Sequence, residues 1–128
     1  MAKITDIYVF GSNEKGIHGC GSALLAVKKF GAIRGQGVGL QGRSYAIPTK
    51  ATPSRSLQLM DVEPYVDEFL AFAAANQHLY RFFMDEIGTG AAGFTAEQMA
   101  QLFSTRTSNV LLPNRWLKIL GEGDAKDT

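Results

Sequence analysis

Excess charge is missing from this chain: 13 Lys and Arg face 12 Asp and Glu over 128 residues, a formal net charge of +1. No overall field draws nucleic acid or an anionic membrane surface to such a protein. Small polyanions stay admissible, because a site for them needs local donors and not a global charge. Cysteine is nearly absent. Cys20 stands alone, which excludes an internal disulfide and suits a reducing compartment. The two histidines, His18 and His78, and the scattered carboxylates show no metal-ligand spacing, so no metal and no cofactor is expected. No apolar run reaches membrane-spanning length, and Met1-Ala2-Lys3-Ile4-Thr5-Asp6 lacks the apolar stretch of a signal peptide. The expectation is a cytoplasmic protein with no membrane partner. Internal repeats and low-complexity linkers are also lacking. With 45% hydrophobic residues, the chain has the length and composition of one globular domain, closed by a polar tail at 121–128.

Glycine is what the chain has in plenty. Nine of its 14 glycines lie between Gly11 and Gly42. The stretch from Gly11 to Gly21 directly follows the apolar run Ile7-Tyr8-Val9-Phe10 and precedes a helical pattern at Ala23–Phe30 that ends at Gly31. A glycine-rich loop between a buried strand and a helix exposes N–H groups that can cradle phosphate.

Strands are expected at Ile4–Phe10, Ser44–Ile47, Phe82–Ile87 and Asn109–Leu112, each short and rich in β-branched or aromatic residues. Between them, Asp61–Ala75 repeats apolar residues at helical spacing. Thr95 with Gln98 three residues on has the form of a capping box. Strands alternating with helices predict an α/β fold with a mixed, mostly parallel sheet between helices. Ligands in such sheets sit beyond the carboxyl ends of the strands. Three segments fall there: the loop Gly11–Gly21, Pro48-Thr49-Lys50, and Gly88-Thr89-Gly90-Ala91-Ala92-Gly93-Phe94. Two glycine loops after two strands could grip a diphosphate from both sides. Gly35–Gly42 reads as a turn-rich connector in preference to a flap, and Phe69, Phe72, Phe82 and Phe83 read as core. Trp116 and Tyr80 read as core in preference to a base pocket.

These stretches resemble the macrodomain family, whose members bind ADP-ribose between two such loops. They are closest to its lysine-using subclass, which includes glycohydrolases that remove ADP-ribose from DNA. Asp6–Asn13 is similar to the family's first asparagine-ended strand, and Gly16–Ala23 with Val27-Lys28-Lys29-Phe30-Gly31 to its first ligand loop and helix. Tyr45–Lys50, with Ser54–Leu57 behind it, is similar to the segment bearing the functional lysine, and Ile87–Phe94 to the second phosphate loop. The adenine-side aspartate element is reduced to Ile4-Thr5-Asp6. Ala51-Thr52-Pro53 replace the aromatics that follow the lysine, and Ala91-Ala92-Gly93 stand where some members carry an acid.

The resemblance implies a three-layer α/β/α domain over residues 1–120 that binds ADP-ribose or a related nucleotide diphosphate. Gly19, Cys20 and Gly21 would face one phosphate, and Gly88, Thr89, Gly90, Ala91, Ala92 and Gly93 the other. Phe94 and Asn13 would meet the distal ribose. Lys50 would lie by the anomeric carbon, its charge disfavoured by a partly dry pocket, and would form a Schiff base with the opened sugar. That describes an ADP-ribosyl glycohydrolase acting on an ADP-ribosylated macromolecule. A non-catalytic ADP-ribose-binding module and a nucleotide binder of other base preference are the alternatives. From the residues alone, Lys50 ends a strand as a solvated charge, His18 is a polar loop residue, and Cys20 is a small buried group with no base beside it.

Overall fold

The run Ile7–Phe10 shows no polar alternation because it lies in a strand, β1 (Thr5–Asn13), covered on both faces. A computed structural model describes residues 3–122 of the chain. After β1 come α1 (Gly21–Phe30), β2 (Gly39–Gln41), β3 (Ser44–Thr52), β4 (Arg55–Ser56) and α2 (Leu59–Ala75). The chain then runs through β5 (Tyr80–Met84), α3 (Ala96–Leu102), β6 (Val110–Leu111) and α4 (Asn114–Ile119). The domain is mixed α/β, with six strands and four helices among the described residues. Its sheet runs β2-β3-β1-β5-β6, with β4 paired to β3 beyond that path. The β1–β3, β1–β5 and β5–β6 pairings are parallel, and β2 and β4 join β3 antiparallel.

Period-two geometry divides the core. Ile7, Val9, Tyr45, Ile47 and Phe82 face α2, α3 and α4, where Val62, Val66, Phe69, Met99 and Trp116 are fully buried. Tyr8, Phe10 and Ala46 point the other way, onto Ala23 and Ala26 of α1. Phe69 meets Tyr45, Phe82 and Phe103 edge-on, with ring centroids 4.9, 5.1 and 6.2 Å away. The phenylalanines expected in the core divide accordingly: Phe69 and Phe82 are sealed, while Phe72 and Phe83 pack on it half-buried. Tyr80 and Trp116 also belong to the core.

Local signals set the helix ends. Gly31 closes α1 with φ +74, and its N–H donates to the Ala26 carbonyl. Thr95 Oγ1 accepts from the Gln98 N–H at 3.0 Å and Gln98 Oε1 accepts from the Thr95 N–H at 2.9 Å, completing the expected box. Three expectations need correction. β3 continues past Ile47 to Thr52, with Pro48 beyond the reach of β2, which pairs only with Ser44–Ala46. β5 stops at Met84, so Asp85, Glu86 and Ile87 leave the sheet. Gly35–Gly42 is no mere connector, since Gly39–Gln41 forms an edge strand. The short β4 and α4 carry too few residues for a legible pattern. Most of the expected tail, 123–128, lies outside the described residues.

Candidate functional site

Two neighbouring parallel strands, β1 and β5, send their chains to opposite faces of the sheet: β1 leads to α1 on one side, β5 to α3 on the other. Loops that part in this way leave a crevice at the strands' carboxyl ends. A cavity of about 370 Å³ fills it, within the roughly 300–1,000 Å³ of small-ligand sites. It is lined by Gly19, Cys20 and Gly21 on one side, by Gly88, Gly90, Ala91 and Ala92 on the other, and by Thr49 and Lys50 from the end of β3.

The first wall is main chain. Cys20, in extended conformation, is the N-cap of α1 and makes no side-chain capping bond, so its thiol leaves the first N–H groups of this ten-residue helix uncapped. Gly21 holds φ +60, a conformation that side-chain-bearing residues rarely adopt. Asn13 lines the cavity, but its side chain also clips the loop: Nδ2 donates to the Ile17 carbonyl at 2.9 Å and Oδ1 accepts from the Ile17 N–H at 3.1 Å. Cys20 is exposed, contrary to the buried group expected. His18 is 1% exposed and turned away from the cavity, with Nε2 3.0 Å from the Gln36 carbonyl.

The second wall begins where β5 ends. Glu86 lines the cavity and is bound by Arg115 of α4, whose Nε donates to Oε2 at 2.8 Å and whose Nη2 donates to Oε1. This bidentate hydrogen bonding, with the guanidinium charge, holds the Glu86 carboxyl below the usual carboxylate range. Glu86 was missed by sequence reasoning, although it directly precedes the Ile87-Gly88 turn. Gly88 has φ +79, and a Cβ there would meet Met99 Sδ at 2.7 Å. Three residues expected to meet the ligand, Thr89 and Gly93 at the second phosphate and Phe94 at the distal ribose, do not line the cavity. Thr89 turns its hydroxyl to Glu86 at 3.4 Å, Gly93 closes a turn onto the Gly90 carbonyl, and Phe94 packs half-buried on the core.

Lys50 is half-buried, and its Nζ donates to the main-chain carbonyl of Pro53, another lining residue. Its own carbonyl accepts from the Glu14 N–H at 2.9 Å, joining the lysine strand to the root of the first loop. Among the described residues no group of three or more His, Cys, Asp and Glu could hold a metal ion, and no helix is long and apolar enough to cross a membrane. No family model, no curated protein and no solved structure matches this chain. The cavity itself therefore carries the functional reading. It can offer main-chain donors from two glycine-rich loops, one primary amine and one ionised carboxylate.

Proposed function

We propose that this chain is a macrodomain-like, three-layer protein that binds ADP-ribose or a related nucleotide diphosphate, and that Lys50 releases ADP-ribose from a conjugate. The observation that carries this reading is that one cavity is lined by both glycine loops and by Lys50. Uncapped N–H groups at the start of α1 favour an anion. The amine of Lys50 would leave the Pro53 carbonyl and attack the anomeric carbon. The conjugated group would depart with the proton that the amine gives up, and ring opening would give the imine. Water would then add, restoring the amine and freeing the sugar.

A second reading, a binding module without turnover, draws on the engagement of Lys50 with Pro53 and on the lack of an acid at Ala91-Ala92-Gly93. Calorimetry with ADP-ribose tests both readings first, since both require saturable binding. Cyanoborohydride then separates them. A covalent ADP-ribose adduct that disappears in Lys50→Ala supports the enzyme, whereas binding with no adduct and no hydrolysis supports the module. No shift in melting temperature at millimolar ADP-ribose would refute both.

A further inference from the structure

The glycine-rich segment from Gly35 to Gln41 lies against the outer side of the first cavity loop, and the contact is backbone on backbone. A Cβ on Gly16 would come within 2.4 Å of the Gly35 carbonyl carbon, and one on Gly37 within 2.5 Å of the Asn13 carbonyl oxygen. Hydrogen bonds hold the two segments together. Gly35 N–H donates to the Gly16 carbonyl at 2.8 Å, and Ser12 Oγ donates to the Gly37 carbonyl at 2.6 Å. The segment is braced from within, because the Gln36 side chain donates to the Val38 and Leu40 carbonyls and Gln41 Nε2 donates to the Gln36 and Gly39 carbonyls.

His18 joins this brace to the cavity. It directly precedes Gly19, is 1% exposed, and packs edge-on against Phe10 with centroids 5.2 Å apart. Its hydrogen-bond partner, the Gln36 carbonyl, can only accept, so Nε2 carries the proton. Nδ1 is buried with no partner among the described residues. The ring therefore does one polar task, which is to tie the loop to the strap.

We propose that Gly35–Gln41 is a strap that holds the main chain of Gly19, Cys20 and Gly21 in its ligand-facing conformation, with the Nε2–H of His18 as the latch. His18 is a positioning residue: it lines no part of the cavity and acts through the loop. The inference rests on the nucleotide-binding reading for its effect on affinity, and on loop order alone for its structural content.

Two substitutions isolate the latch. His18→Phe keeps an aromatic ring against Phe10 and loses the donor together with the unpartnered Nδ1, while His18→Gln keeps a terminal N–H at similar reach. Backbone ¹⁵N relaxation without ligand is expected to give order parameters near 0.85 at Gly19 and Gly21 in the wild type and in His18→Gln, falling below about 0.6 in His18→Phe. ADP-ribose affinity is expected to fall about tenfold in His18→Phe and to return to within about threefold in His18→Gln. Should His18→Phe not fold, Ser12→Ala, which removes the strap's anchor on β1, is read by loop order alone, because Ser12 also lines the cavity. Unchanged order parameters in the folded donorless variant would overturn the proposal. So would equal affinity losses in the Phe and Gln variants, which would make His18 a matter of ring packing. If the wild type itself fails to bind ADP-ribose, the functional reading falls, and loop order still decides the latch.

Discussion

Two glycines three residues apart in the first loop make opposite demands, and alanine distinguishes them. Gly16 has φ +71, and its Cβ would stand 2.4 Å from the Gly35 carbonyl carbon, 2.5 Å from Gln36 N and 2.8 Å from the Gly35 oxygen. Those atoms are backbone, held by the Gly35–Gly16 hydrogen bond, and cannot swing aside as a side-chain end would. The left-handed conformation alone costs alanine about 1–2 kcal/mol. Overpacking a tight contact adds about 1–3 kcal/mol. Together Gly16→Ala should lose about 3 kcal/mol, which at roughly 4 °C per kcal/mol for a chain of this size is a fall in Tm of about 12 °C. Gly19 has no positive φ, and its Cβ would meet nothing within 4 Å. Gly19→Ala should stay within about 0.5 kcal/mol, or about 2 °C, helped by the lower entropy of the unfolded chain. Differential scanning calorimetry on the two variants, with urea melts to confirm equal m values, reads the difference. Melting temperatures within 3 °C of each other would refute the assignment of the loop's rigidity to the Gly16–Gly35 contact.

The ion pair at the cavity rim predicts a titration change. Arg115→Ala should raise the Glu86 pKa toward the ordinary carboxylate range, seen by ¹³C NMR of the side-chain carboxyl, and an unmoved pKa would separate Glu86 from Arg115. Because folding lowers this pKa, the pair's contribution to stability is present above the unfolded carboxylate value and is lost as pH falls through the folded one. Tyr65 predicts the opposite window. Its hydroxyl donates to Glu14, and that bond, with burial and acidic neighbours, pushes its pKa up to about 12. The raised value stabilises the fold below the ordinary tyrosine pKa of about 10, and the gain disappears as pH rises through the folded value. Ultraviolet titration of Glu14→Gln should bring Tyr65 back toward about 10, and a midpoint still at about 12 would show that Glu14 is not the cause.

Much of the frame was legible because it is written locally. The capping box at Thr95 and Gln98, the stop at Gly31 and the periodicity of Asp61–Ala75 all lie within single helices, and all reappear in the fold. The edge strand Gly39–Gln41 was not legible, since three residues between glycines show no alternation and acquire their form from pairing with Ser44–Ala46. His18 was read as a polar loop residue, and its burial was not legible for a related reason. A histidine between glycines looks solvated until the Gln36 segment folds over it. Glu86 escaped because a carboxylate looks out of place beside an anion site until Arg115, 29 residues away, is brought to it.

The chain alone determined a mixed α/β domain with two glycine-rich turns after two strands, since composition, spacing and capping act over a few residues. Only the tertiary structure decided that β1 and β5 lie side by side and send their loops to opposite faces, opening one cavity onto which both glycine loops and Lys50 face. It also decided that Thr89, Gly93 and Phe94 stay off that cavity and that a glycine strap supports its first wall. Strand order and loop-to-loop contact depend on pairs far apart in sequence, which no local pattern records.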